Sequence, residues 1–353
     1  MTAPDKVLVV GPSWVGDMVM AQALYRLLKH RSAASEIHVV APPWSLPVLE
    51  RMPEVARGIE LAVGHGELGL GRRRALGRQL RGERYSHAIV LPRSAKSALV
   101  PWFARVPRRT GFRGEWRFGL LNDVRVQDSS LDQTVKRFVA LGRESNEPAG
   151  PLPVNLYPRL SVSTANQQRL RVEHGLDARE PLVALMPGAE YGAAKRWPAA
   201  RFAELARWLA GAGTNVIVLG SAKERPLGDE IAAAAGQSRV RNLCGRTSLA
   251  DVIDLAAAAD AAVSNDSGLL HVAAASGTPV VAIYGSSSPK LTPPLTELAA
   301  VVYLGIECSP CFERECPLGH LHCLTEISVE RVEAALAQLR RARELRTRGR
   351  ADD

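Results

Sequence analysis

Residues 6–41 read KVLVVGPSWVGDMVMAQALYRLLKHRSAASEIHVVA and hold a strand, a helix and a second strand. Residues 6–11 are a short apolar run rich in β-branched side chains, and Gly11-Pro12 stops it with a turn pair. From 17 to 30, Met18, Ala21, Leu24 and Leu28 recur at spacings of three and four, which places them on one face of a helix. Residues 37–41, IHVVA, restart an apolar run. Two apolar strands joined by a helix predict a parallel pair with a crossover, the unit from which α/β sheets are built.

The same alternation continues outward. A basic helix near 68–82 precedes a strand at 87–91. At 144–156 the pattern breaks into ESNEPAGPLPVNL, whose prolines suit neither a helix nor a central strand, so a linker is expected there. Beyond it come strands at 182–186, 215–220, 261–264 and 279–284, with helices near 199–210, 224–235 and 268–276. A long helix near 328–346 ends the pattern in an Arg-rich tail and is a candidate to pack back on the first domain. The expected architecture is α/β: two Rossmann-like, doubly wound domains, residues 1–150 and 151–353, facing across a cleft. Ligands of such sheets bind at the carboxyl ends of the strands.

Composition agrees with a globular chain of that size: 353 residues, 46% hydrophobic and 23% charged. The opening apolar run is too short for a secretory leader, and no stretch of about 18 apolar residues suggests a membrane span. Five cysteines, four of them crowded between Cys308 and Cys323, do not resemble a secreted disulfide framework, so a reducing cytoplasm is expected. Residues 1–150 hold 23 Lys and Arg against 14 Asp and Glu, whereas the remainder holds 22 of each. The whole excess of +9 therefore lies in the first half. It either solubilises the surface or attracts anions, and the run Arg72, Arg73, Arg74, Arg78, Arg81 and Arg84 is the expected contact with an anionic membrane.

Four constellations carry chemistry. The first turn, Gly11-Pro12-Ser13-Trp14-Val15-Gly16-Asp17, lacks the G-x-G-x-x-G spacing of a dinucleotide site. Asp17 reads either as the N-cap of the helix or as a carboxylate able to take a proton from an acceptor hydroxyl. The long turn Pro187-Gly188-Ala189-Glu190-Tyr191-Gly192-Ala193-Ala194-Lys195-Arg196-Trp197-Pro198 brings Lys195 within reach of a phosphate, or is a surface loop with stray cations. At Ser264-Asn265-Asp266-Ser267-Gly268-Leu269-Leu270-His271 a strand gives way to a helix at a glycine, so Ser267 and the first helical N–H groups offer donors to a diphosphate. His271 lies one turn in and reads as a pocket residue or a structural one. The fourth is Cys308-x2-Cys311-x4-Cys316-x6-Cys323, with His320 and His322 inside it. It matches no standard finger, so packed thiols are expected ahead of a structural zinc or iron. No Asp-x-Asp sequence occurs, so no catalytic metal and no cofactor are expected, and a leaving diphosphate would lean on Lys195 and a helix N-terminus.

The ordered set GPSWVGDMVMAQAL, PGAEYGAAKRWP, SNDSGLLHVAAASGTPVVAIYG and CSPCFERECPLGHLHCL resembles the ADP-heptose:lipopolysaccharide heptosyltransferases of glycosyltransferase family 9, over almost the whole chain. The second and fourth segments are most similar to the type II branch. The resemblance implies a GT-B architecture with the acceptor on the first domain and ADP-heptose on the second, and an inverting, metal-independent transfer. It implies Asp17 as the catalytic base and Lys195 as the phosphate ligand, with Asp266, Ser267, Gly268 and His271 around the diphosphate and heptose. Glu224 is implied at the ribose, Thr247 at the adenine, and Glu190 and Tyr191 beside the donor, where type I members carry threonines. Ser13, Trp14 and Gly16 are expected on the acceptor side. The implied partners are ADP-heptose, a heptosyl-Kdo2-lipid A acceptor and the anionic cytoplasmic face of the inner membrane. Nucleic acid is not expected, because neither a recognition fold nor an aromatic stacking platform is legible. A type I or other family 9 transferase, a GT-B epimerase and a non-catalytic sugar-nucleotide or glycolipid binding module are the competing readings.

Overall fold

A computed structural model describes residues 5–64, 66–145, 147 and 150–349; side-chain placement within 343–349 is not described. The chain folds as two compact units, Met1–Arg159 and Leu160–Asp353. The Pro-rich stretch lies ahead of that division, and its turn Val154–Leu156 belongs with the first unit, where Arg26 donates to the Asn155 carbonyl at 2.7 Å.

In the first unit the strands are β1 (Lys6–Val10), β2 (Glu36–Ala41), β3 (Val55–Glu60), β4 (His87–Val90), β5 (Arg108–Phe112) and β6 (Asp123–Arg125). The helices are α1 (Val15–Arg31), α2 (Leu46–Leu49), α3 (Leu70–Gln79), α4 (Leu99–Phe103) and α5 (Thr134–Leu141). All pairings are parallel, in the order β3-β2-β1-β4-β5-β6. The chain starts in the middle of the sheet, winds to one edge, returns to the centre and winds to the other.

The second unit repeats the plan. Its strands are β7 (Leu182–Met186), β8 (Asn215–Val218), β9 (Val240–Asn242), β10 (Ala261–Asn265), β11 (Val280–Tyr284) and β12 (Ala299–Tyr303). Its helices are α6 (Thr164–Glu173), α7 (Ala199–Gly211), α8 (Arg225–Ala235), α9 (Leu249–Ala258), α10 (Gly268–Ala275), α11 (His322–Thr325) and α12 (Val329–Gly349). The sheet order β12-β11-β10-β7-β8-β9 is again parallel throughout. Every residue of β7, β8, β10 and β11 is buried, as expected of strands covered on both faces.

The seven strands read from the sequence are present, while β3, β5, β6, β9 and β12 were not legible. Four of these are sheet edges, and β5 reads RRTGF. β3 and β6 bury little and carry no apolar run, and β9 is only three residues long, whereas β12, AAVVY, is an apolar run that was missed. The core of the second unit is held by Trp197, whose indole N–H donates to the Ile327 carbonyl at 3.0 Å while its ring meets Phe202 edge-on at 4.9 Å. Val329, Val332, Leu336 and Leu339 of α12 bury in that same core. The Arg-rich end of α12, expected to reach back to the first domain, lies outside the residues whose side chains are described.

Candidate functional site

A doubly wound sheet has one place where its winding reverses, and loops leaving the strand ends there diverge to leave a crevice. In the second unit that place is between β7 and β10. Lys195, in the loop after β7, donates to Asp266 Oδ2, just past β10, at 2.5 Å. Asp266 is buried and Lys195 mostly so. Asn265 fastens the same two loops. Its side-chain oxygen accepts from the Trp197 N–H at 3.0 Å, and its amide donates to the Pro187 carbonyl at 2.7 Å. The ion pair between loops far apart in the chain was not legible in the sequence, because no local pattern links positions 195 and 266.

Tyr191 closes the rim. Its hydroxyl donates to the Phe312 carbonyl at 2.5 Å, and Lys195 Nζ stands 5.1 Å from its ring centroid, within cation–π range. Arg314 lies at 5.3 Å from the same ring. The segment 312–314 thus joins the site, although in that region only the cysteines stand out in the sequence.

Ser267 caps α10 with an extended backbone and no side-chain cap bond. The first N–H groups of a helix have no intrahelical partner, so α10 points its positive end at this loop. His271, one turn in, is buried and its Nδ1 has no hydrogen-bond partner among the described residues. Burial pushes its pKa down, the Asp266 carboxylate opposes that, and the Lys195 ammonium adds to it. The ring is therefore neutral at neutral pH, close to the ion pair.

Glu224 is placed differently from a free ligand. Its Oε2 accepts from the Ser221 N–H at 2.6 Å in a capping box ahead of α8. Its Oε1 would lie 1.5 Å from a Cβ on Gly188, so glycine there is a steric necessity and Glu224 lines the same loop floor as Pro187-Gly188. Glu190 pairs with Lys223 at 3.0 Å on the exposed rim. Thr247 is half-buried, its hydroxyl 3.4 Å from the Leu243 carbonyl.

In the first unit, Ser13, Trp14, Gly16 and Asp17 follow β1 at its carboxyl end. The helix begins at Val15 with Trp14 as N-cap, so Asp17 is the third helical residue and not the cap. This corrects the capping reading. A carboxylate in the first turn still complements the helix dipole and stays ionised more readily. Asp17 is half-buried, Gly16 buried, Ser13 and Trp14 exposed. The Ser13 carbonyl accepts from the Trp44 indole at 2.8 Å.

On the same strand-end edge, past β4, β5 and β6, lies a cavity of about 660 Å³ lined by Arg93, Ser94, Arg113, Glu115, Val126 and Gln127. It was not legible in the sequence, where the only signal was the arginine excess. Trp116 and Phe118, in the loop after β5, are 89% and 73% exposed. The expected surface run is also corrected, since Arg73 is buried and its Nε donates to the Leu68 carbonyl at 2.7 Å.

The four clustered cysteines and Cys244 are free thiols. Backbone N–H groups of the Leu318–Leu321 turn lower the Cys316 pKa, while burial raises that of Cys323 to about 11. Among the described residues no group of three His, Cys, Asp or Glu is placed to hold a metal ion, and no helix is long and apolar enough to cross a membrane.

Residues 73–322 match the model of glycosyltransferase family 9, the heptosyltransferases. The chain belongs to this family. It is 47% identical to lipopolysaccharide heptosyltransferase 2 of Salmonella typhimurium over 95% of this chain and 98% of the relative. It is likewise 47% identical to the Escherichia coli protein of that name, over 93% and 96%. The solved E. coli ADP-heptose lps heptosyltransferase II superposes with a TM-score of 0.85 at 44% identity, covering 96% of this chain and 99% of that one. The family member described here is therefore a glycosyltransferase with the GT-B type of fold.

Proposed function

We propose that this chain transfers L-glycero-D-manno-heptose from ADP-heptose to the first heptose of the lipopolysaccharide inner core, with inversion and without a metal ion. The observation that carries this is the Lys195–Asp266 pair at the winding reversal of the second unit, beside the start of α10, in a chain 47% identical to heptosyltransferase 2 relatives. The diphosphate is met by the Lys195 ammonium and by the N–H groups at Ser267 and Gly268, which stabilise the charge it gains on leaving. Asp266 holds the lysine in place. His271, neutral, faces the sugar; Glu224 takes the ribose, Thr247 borders the adenine, and Glu190 and Tyr191 form the rim.

Asp17 takes the proton of the acceptor hydroxyl as that oxygen bonds to the anomeric carbon and the bond to the diphosphate breaks on the opposite face. Ser13, Trp14 and Gly16 border the acceptor, and the Arg93–Arg113 cavity on the same edge suits its acidic groups. The acceptor is lipid-linked, so the protein works at the anionic cytoplasmic face of the inner membrane, as a peripheral protein.

The test is incubation with ADP-heptose and lipopolysaccharide carrying a single inner-core heptose, in excess chelator, with the product read by mass. A gain of one heptose is expected. Transfer only to an acceptor lacking heptose would move the chain to the type I reaction. Loss of transfer in chelator, restored by Mg²⁺, would end the metal-independent reading.

A further inference from the structure

The arginine excess of the first unit has a second focus, away from the strand ends that carry Asp17. Helices α3 and α4 meet at Gly77, where a Cβ would lie 2.5 Å from Phe103 Cβ and 2.7 Å from the Val100 carbonyl oxygen. That close approach brings one face of α3 and its single-turn continuation alongside Trp102. Arg74, Arg78 and Arg81, spaced by four and three, share that face. Together with Trp102, Arg105 and Arg109 they border a cavity of about 510 Å³.

The local chemistry is unfavourable to the protein alone. Like charges four apart weaken a helix, and α3, reading LGRRRALGRQ, contains no acid to offset them. The guanidinium groups of Arg74, Arg78 and Arg105 make no ion pair or hydrogen bond among the described residues. Of the acids flanking α3, Glu83 is occupied by Lys6 at 3.1 Å and Arg57 at 3.0 Å, and Glu67 accepts from the Gly64 N–H at 3.1 Å. Burial, and then the charges of Arg105, Arg78 and Arg74, press the Arg81 pKa down. Arg105 also holds a left-handed backbone, φ 57°, which a residue with a Cβ adopts at a cost. An anion in the cavity relieves the charge crowding at once.

One side chain is already fixed to meet it: Arg81 Nε donates to the Phe103 carbonyl at 2.8 Å. Arg109 only borders the wall, its guanidinium donating to the carbonyls of Val106, Gly119 and Leu120. Trp102 is 44% exposed at the cavity edge. An exposed tryptophan beside unpaired guanidinium groups is the pairing of side chains suited to a lipid headgroup layer, where the indole sits at the interface and the guanidinium groups take phosphate.

We propose that this pocket seats the phosphate of an anionic phospholipid headgroup, making the α3–α4 face the surface by which the protein docks on a bilayer. This docking rests on the membrane association proposed above and gives it named residues.

The experiment uses the full chain and vesicles of phosphatidylcholine, with or without phosphatidylglycerol as about a third of the lipid, at low salt. The wild-type protein is expected to sediment with the anionic vesicles only. Arg74→Glu/Arg78→Glu should lose about tenfold or more of that affinity, because each basic group near an anionic surface contributes and reversal turns attraction into repulsion. Lys290→Glu/Arg331→Glu, an equal charge change in the second unit, should stay within about twofold of wild type if the effect is local and not a long-range field. Trp102→Ala should weaken vesicle binding as well. Equal loss in the two double variants would overturn the proposal in favour of a diffuse field. Protection of the pocket by inorganic phosphate without vesicle binding would assign it to a soluble anion and overturn the docking. Transfer to a deacylated, water-soluble acceptor should be unchanged in Arg74→Glu/Arg78→Glu, which shows that the variant is folded. Failure of that transfer in the wild type would count against the transferase reading and leave the vesicle result standing.

Discussion

The two units have one strand order and different charge, the first strongly basic and the second near neutral. Met1–Arg159 holds 24 Lys and Arg against 14 Asp and Glu, and Leu160–Asp353 holds 21 against 22. In the second unit the strand-end loops are tied to each other: Lys195 to Asp266, Asn265 to both Pro187 and Trp197, Tyr191 to Phe312. In the first, the strand ends border an open cavity flanked by Arg93 and Arg113, with Trp116 and Phe118 standing in solvent. A preorganised polar network suits a ligand of fixed shape such as a sugar nucleotide, because its groups need no rearrangement on binding. A cationic surface with exposed aromatics suits a large, acidic, partly apolar partner. The same scaffold thus presents two kinds of strand-end surface, and the loops decide which.

The comparison breaks first at Asp17. Asp17→Asn keeps the shape of the side chain at the start of α1 and removes its proton acceptor. Turnover should fall by about 10²–10⁴-fold, with ADP affinity by calorimetry unchanged. Transfer near the wild-type rate would return Asp17 to a helix-start role and leave the first unit without a base.

Lys195→Ala tests the network of the other unit. On the proposed function it removes a charge-assisted contact to the diphosphate, and it leaves Asp266 buried without its cation. ADP binding should weaken by about 1.5–3 kcal/mol. Intact ADP affinity with intact turnover would mean that the ion pair only ties loops together and that the phosphates sit elsewhere.

A smaller effect sharpens the contrast in stability. His87 in β4 is hydrogen-bonded to the Thr110 hydroxyl at 2.7 Å, and burial depresses its pKa from 6.5 to about 4. Thr110 in turn donates to Asp123 at 2.8 Å. Burial alone would raise the Asp123 pKa, but hydrogen bonds from Arg125 and Thr110 hold it at about 2. Above pH 6.5 the His87 ring is neutral in folded and unfolded chains alike. Between 6.5 and about 4 the unfolded chain takes up a proton that the folded one refuses, so stability falls as pH falls. That contribution is on the order of 3 kcal/mol. His87→Gln should be less stable at neutral pH but lose less on acidification, as denaturant midpoints at several pH values would reveal. A slope as steep as that of the wild type would place the acid sensitivity in another group.

Much of the candidate site of the second unit was legible because its signals are local. The run Leu182–Met186 followed by a glycine-rich turn states a strand end, and Asn265-Asp266-Ser267-Gly268 states both a strand end and a helix start within four residues. Spacing and glycine placement are backbone requirements, so the chain displays them directly. The helix start at Val15 was misplaced by two residues because Trp14, a poor capping residue, occupies the N-cap and gives no side-chain signal. The Arg72–Arg84 run looked like a uniform exposed face, yet Arg73 turns inward to a backbone carbonyl, and Gly77 decides how close α4 comes.

The sequence by itself determined the α/β class, the two consecutive wound sheets, the one-sided charge and the loops that bear Asp17, Lys195 and Ser267, since periodicity, breakers and composition are properties of neighbouring residues. Only the tertiary structure decided that Lys195 meets Asp266, that Glu224 is held against Gly188, and that Arg93 with Arg113, and Arg74 with Arg105, share cavities. Those pairings join residues tens of positions apart, and they follow from parallel strand order and helix packing, which no local pattern encodes.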